Sequence, residues 1–161
     1  MKLTFRLGKY RFVTYIAKTE KVKGVNSKID DEHHILMLDF DGVEDLNDLL
    51  QDLRRIQYKY KLPDIYVVES SPNNYQAYCF KKLTWREAIH IATDCKYIDM
   101  NYVKLSLIRG YFTLRIDATD TRPAPKLVAV LQSRYPADVK PEDLKEFVIY
   151  EAKVKEVKKN A

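Results

Sequence analysis

The chain has 161 residues, of which 46% are hydrophobic and 32% charged, and carries a formal net charge of +5. That length suits one domain with its own core, and the composition is that of a globular chain rather than a disordered one. No apolar run approaches the ~20 residues of a membrane span, and no signal peptide precedes the first strand-like segment.

The two cysteines, Cys79 and Cys95, exclude a disulfide framework and a four-cysteine zinc site, so a reducing, cytoplasmic location is expected. The basic excess permits a polyanionic partner without demanding one, and much of it sits in the tail KVKEVKKNA.

In chain order, LTFRLGKYRFVTYIAK (3–18) alternates apolar and polar residues on both sides of Gly8 and predicts an N-terminal β-hairpin. KTEKVKGVNSKIDDE (18–32) loses that alternation and predicts a mobile, charged loop. HHILMLDF (33–40) predicts a buried strand. Val43, Leu46, Leu49, Leu50, Leu53 and Ile56 recur at helical spacing, with acids early and basic residues late, and Pro63 ends that helix.

DIYVVES (64–70) and NNYQAYCF (73–80) predict two strands joined by turn formers from Ser70 to Asn74. TWREAIHIATDC (84–95) opens with Thr84 and Glu87 at capping-box spacing and predicts a helix. DMNYVKLSLIRG (99–110) predicts a second, ending at Gly110. YFTLRID (111–117) predicts a fourth strand, TDTRPAP a loop and KLVAVL (126–131) a further strand. Residues 142–157 fit either a helix or a strand.

The central order strand, helix, strand, strand, helix, strand implies an α+β fold. Its core would be an RRM-like antiparallel sheet (βαββαβ) with helices on one face, an N-terminal β-hairpin and a C-terminal extension. Strands 33–40 and 111–117 would both be central, and residues 1–161 would form a single domain with its motifs in 34–117.

The chemistry concentrates at the end of the first central strand. Asp39 and Asp41 stand at i and i+2, so in a strand they share a face roughly 7 Å apart. Both could reach one divalent cation; the alternative is a strand end entering an Asp-Gly turn with both acids in solvent. His33 and His34 mark a strand entrance rather than a metal site. With four glycines in the whole chain there is no Gly-rich phosphate cradle.

Three motifs in order resemble the archaeo-eukaryotic primase superfamily, the catalytic core of primase small subunits and primase-polymerases. ILMLDFD supplies a hydrophobic strand ending in Asp-x-Asp, with Asp39 and Asp41. SSPNNYQAY keeps Ser70, places Gln76 where that family has a histidine and Tyr78 as the following aromatic, a form similar to the plasmid and phage replication branch. IDMNYVKLSLIRGYFTLR offers Asp99, Arg109 and Arg115 at similar intervals.

The resemblance implies a nucleotidyltransferase that joins nucleotides on a single-stranded DNA template in replication. Asp39, Asp41 and Asp99 would hold two Mg²⁺ or Mn²⁺ ions, with no zinc. Ser70, Asn74 and Gln76 would bind the triphosphate of a nucleoside triphosphate, and Arg109 and Arg115 would offset its charge. Asp99 could equally cap the helix it precedes, and Ser70 to Asn74 could be only a hairpin loop.

Lys81, Lys82, Lys104, Arg122 and Lys126 are candidate template contacts. A helicase or a large-subunit-like replication protein is a candidate partner, and no membrane is expected. Two other functions compete. One is a non-catalytic RRM-like module for single-stranded nucleic acid, or an accessory to a replication initiator. The other is a nuclease or nicking initiator, which normally uses a His-hydrophobe-His pair that this chain lacks.

Overall fold

The computed structural model describes residues 2–15, 19–141 and 147–153. Lys2–Leu7 (β1) and Tyr10–Tyr15 (β2) form the expected hairpin, paired antiparallel. Gly8 takes the first turn position at φ 58°, a left-handed value that costs glycine no clash, and so sets Leu7 opposite Tyr10.

The segment expected to be a loop contains a strand instead, Thr19–Asn26 (β3). Its lysines conceal the pattern: Lys21 and Lys23 are exposed while Val22 is fully buried. After it come His33–Phe40 (β4), the helix Leu46–Lys59 (α1), Ile65–Ser71 (β5) and Asn74–Thr84 (β6). Two helices follow, Trp85–Asp94 (α2) and Met100–Arg109 (α3), and then Thr113–Arg115 (β7), Lys126–Leu131 (β8) and Phe147–Lys153 (β9). β9 decides for strand the stretch left open between helix and strand; residues 142–146 and 154–157 of that stretch lie outside the described residues.

The helices begin and end where their capping chemistry directs. Asp45 caps α1 by accepting from the Asn47 N–H, and the helix buries Leu49, Leu53 and Ile56. At α2 the capping box is formed on both sides, each half satisfying an orphan N–H and such caps contributing about 1 kcal/mol. α3 stops at Gly110, φ 79°, whose N–H donates to the Ser106 carbonyl at 2.8 Å. Gln57 is buried in α1 and donates to the carbonyls of Pro63 (2.9 Å) and Leu131 (2.7 Å), tying the helix to the sheet.

The strands form an antiparallel four-stranded sheet, β4-β6-β5-β8, and a three-stranded one, β7-β3-β9, besides the hairpin. The fold is therefore α+β, but 33–40 and 111–117 are not central neighbours: β4 is an edge strand of its sheet, and the fourth strand there is β8, at the opposite edge beside β5. Segment 111–117 yields only the three residues of β7, which pair with β3. The reason lies on the outer edge of β4, where other partners occupy the backbone. Ile35 N–H donates to Ser27 O (2.8 Å), Tyr102 hydroxyl to Met37 O (3.1 Å) and Asp99 N–H to Asp39 O (2.9 Å). These odd-numbered residues turn their backbone groups away from β6, and little of that row is left for another strand.

One core joins the sheet to the helices: Leu36, Leu38, Val67 and Ala77 are in it with Leu53 and Ile91. The other face of the same sheet carries the candidate site. No helix among the described residues is long and apolar enough to cross a membrane.

Candidate active site

The register of β4 on β6 sets Asp39 opposite Gln76, with Val68 of β5 next in the row. Opposed residues share a face, so a carboxylate and a carboxamide lie side by side, turned away from Leu38 and Ala77. A cleft of about 330 Å³ opens at this point, between the row, α3 and β7. The expected residues Asp39, Asp41, Ser70, Asn74, Gln76, Asp99, Arg109 and Arg115 all line it. So do Ser71, Asn101, Tyr102, Leu105, Thr113, Leu114 and Arg122, of which the sequence singled out only Arg122, and that as a template contact.

The two parts of the carboxylate wall are tied by backbone, since the Asp99 N–H donates to the Asp39 carbonyl. The Asp99 carboxylate accepts from the Asn101 N–H at 2.8 Å, so it caps α3 while lining the cleft. The positive end of the helix favours its negative charge.

The turn between β5 and β6 is locked to the segment after Asp41. Pro72 and Asn73 make the turn, with Asn73 at φ 61°, a left-handed value that asparagine tolerates. Asn74 Nδ2 donates to Ser71 Oγ and to the Pro72 carbonyl, both at 2.9 Å, and its Oδ1 accepts from the Gly42 N–H at 3.1 Å. Val43 N–H donates to Asn73 O at 2.8 Å, and Ser70 Oγ to Asn74 O at 3.2 Å. The donors of Ser70 and Asn74 are thus engaged in holding the turn and the Asp41-Gly42 loop together. Gln76 differs: it is buried, its Oε1 accepts from the Tyr78 hydroxyl at 3.4 Å, and its amide hydrogens are what it can offer the cleft.

The arginines divide likewise. Arg109, exposed in the last turn of α3, has no hydrogen bond or ion pair among the described residues. Arg115 is 3% exposed and donates to three backbone carbonyls: Asp117 (2.5 Å), Pro123 (2.6 Å) and Ser70.

Among the described residues, no group of three or more His, Cys, Asp and Glu side chains is arranged to hold a metal ion. The oxygen donors of the cleft are the chemistry a hard cation takes. The thiols offer no rival centre: burial pushes Cys79 up to about 12 and raises Cys95 as well, which keeps both protonated. His34 is buried against Trp85 and bonded to Ser27 Oγ at 2.8 Å, and His33 pairs with Asp30, so both serve the strand entrance. Of the candidate template cations, Lys82 pairs with Asp30 (3.1 Å) and Lys81 with Asp138 (3.9 Å).

Residues 11–102 match the family model of the RepB DNA-primase N-terminal domain, which is more than half of the chain. The matched stretch includes Asp39, Asp41, Ser70, Asn74, Gln76 and Asp99 and stops short of the three arginines of the cleft. No curated protein and no solved structure was found to match the chain.

Proposed function

The chain belongs to the RepB DNA-primase N-terminal domain family, a replication-related, primase-like assignment, and from this we propose that its cleft is a nucleotidyltransferase site of the archaeo-eukaryotic primase kind. Its reaction is the joining of nucleotides on a single-stranded DNA template. One observation carries the reading: three stretches far apart in sequence that match the motifs of the resemblance line a single cleft.

Asp39 and Asp41 would hold Mg²⁺ or Mn²⁺, hard cations that with phosphate substrates need only one or two carboxylates from the protein. Two such ions, when bound, stabilise the attacking 3′-oxygen and the departing pyrophosphate. Asp99, held against Asp39 by the backbone bond, lends a third negative charge to that wall. The Gln76 amide donates to a phosphate oxygen, and Arg109, with no ion pair among the described residues, offsets the triphosphate charge. Ser70 and Asn74 act one step back, by fixing the loop that carries Asp41.

A second reading, retention of single strands without catalysis, draws on Tyr66 and Tyr78. They oppose each other on the cleft's face of the sheet, with Leu127 and Val130 exposed nearby.

The experiment is incorporation of labelled nucleotides, ribo- and deoxyribo-, on single-stranded DNA with Mn²⁺ or Mg²⁺. The wild type incorporates. The double variant Asp39→Ala/Asp41→Ala keeps its melting temperature, loses incorporation by on the order of a hundredfold or more, and loses the thermal shift given by triphosphate and Mn²⁺. DNA retention with no incorporation under any of these conditions selects the second reading.

A further inference from the structure

We infer that Arg122 is the guanidinium that meets the triphosphate from the β7 side of the cleft, and that Arg115 is its positioning residue. This rests on the nucleotide reading above and alters which cation carries it.

Arg115 is almost fully buried, and its guanidinium grips three carbonyls from two segments. Nη1 gathers Asp117 and Pro123, the two ends of the loop that follows β7; Nη2 reaches across to Ser70 at the end of β5. To turn toward a phosphate it would have to abandon acceptors that are costly to leave unmade.

The loop it closes carries Arg122. Within that loop the Thr119 N–H donates to Arg122 O at 2.9 Å and the Arg122 N–H to Thr119 Oγ1 at 3.2 Å, so the Arg122 backbone is bonded on both its polar groups. Pro123 follows with its fixed φ. The side chain so presented is half-buried and lines the same cleft as Asp39, Asp41 and Arg109.

A guanidinium on this wall, with Arg109 on the α3 wall, places two forked donors around an anion. Arg115, bonded to three carbonyls, does the work of a clamp.

Binding of a nucleoside triphosphate and of its monophosphate, each with Mn²⁺, tests this alongside melting temperature. Arg122→Ala should weaken the triphosphate about tenfold or more, leave the monophosphate within about twofold and leave the melting temperature unchanged, and Arg122→Lys should restore part of the loss. Arg115→Lys should lower the melting temperature and also weaken the triphosphate, yet add little further loss in the Arg122→Ala background, because the two act in series. If Arg122→Ala binds triphosphate like the wild type, or loses tri- and monophosphate alike, the assignment of Arg122 is wrong. If Arg115→Lys and Arg122→Ala losses simply add, Arg115 is not its positioning residue. A wild type that binds no triphosphate removes the nucleotide reading itself, and the inference with it.

Discussion

Two clusters of aspartates and cations stand on different parts of this molecule and use their charges in opposite ways. Between α1 and α2, Arg55 bonds Asp52 at 2.8 Å and Asp94 at 3.2 Å, while Lys59 reaches Asp94 at 2.8 Å. Asp94 also accepts from the Tyr60 hydroxyl, and the Lys59 ammonium beside it holds its carboxyl below the usual range. Every charge there meets its opposite. In the cleft, Arg109 has no ion pair among the described residues, Arg115 donates to three carbonyls, and Asp99 accepts from a backbone N–H. Neutral partners satisfy hydrogen-bonding needs without cancelling charge. The first cluster is a staple between helices, and in the second Arg109 and Asp99 meet no opposite charge in any bond among the described residues.

The comparison can be broken most sharply at Arg115. Arg115→Met removes three hydrogen bonds to carbonyls in a buried setting, and should destabilise the fold by about 3 kcal/mol in chemical denaturation. A loss no larger than that of a surface substitution would mean that the clamp carries little of the loop.

Gln76 sharpens the contrast at lower energy. Gln76→Ala should weaken triphosphate binding by roughly 0.5–1.5 kcal/mol at every pH, the net worth of one neutral hydrogen bond. Gln76→His should tighten it below about pH 6.5, where an unperturbed imidazole is protonated, and lose the gain above. Titrations at pH 5.5 and 8 separate the two; equal affinities throughout would make Gln76 a strand residue with no ligand.

The smallest effect belongs to the staple. Asp94→Asn dissolves pairs whose cations are about half exposed, with side chains of Arg55 47% and Lys59 52% accessible. Solvent screens such pairs, so the melting temperature should move by no more than about 3 °C and nucleotide incorporation not at all. A large change in incorporation would show that the two clusters are coupled.

Much of the architecture was legible in the chain because its signals are local. The apolar run of β4, the helical spacing of Leu49, Leu53 and Ile56, the Thr84–Glu87 box and the stop at Gly110 each depend on neighbours a few residues away. Asp39 and Asp41 stand out by their period, whereas Ser70, Asn74, Gln76, Asp99, Arg109 and Arg115 came from the resemblance to the primase superfamily. β3 was illegible for the converse reason. Its lysines face outward, and what makes it a strand is pairing with residues 113–115 and 147–153.

The amino-acid sequence by itself determined the elements from β4 to α3, because periodicity and capping are set within one or two turns of chain. Only the tertiary structure decided which strands pair and which arginine of the cleft is held by backbone carbonyls. The outer edge of β4 is taken up by Ser27, Tyr102 and Asp99, which leaves β7 to join β3. The carbonyls that hold Arg115 come together only when the end of β5 meets the loop after β7, a contact between residues 45 positions apart that no local pattern encodes.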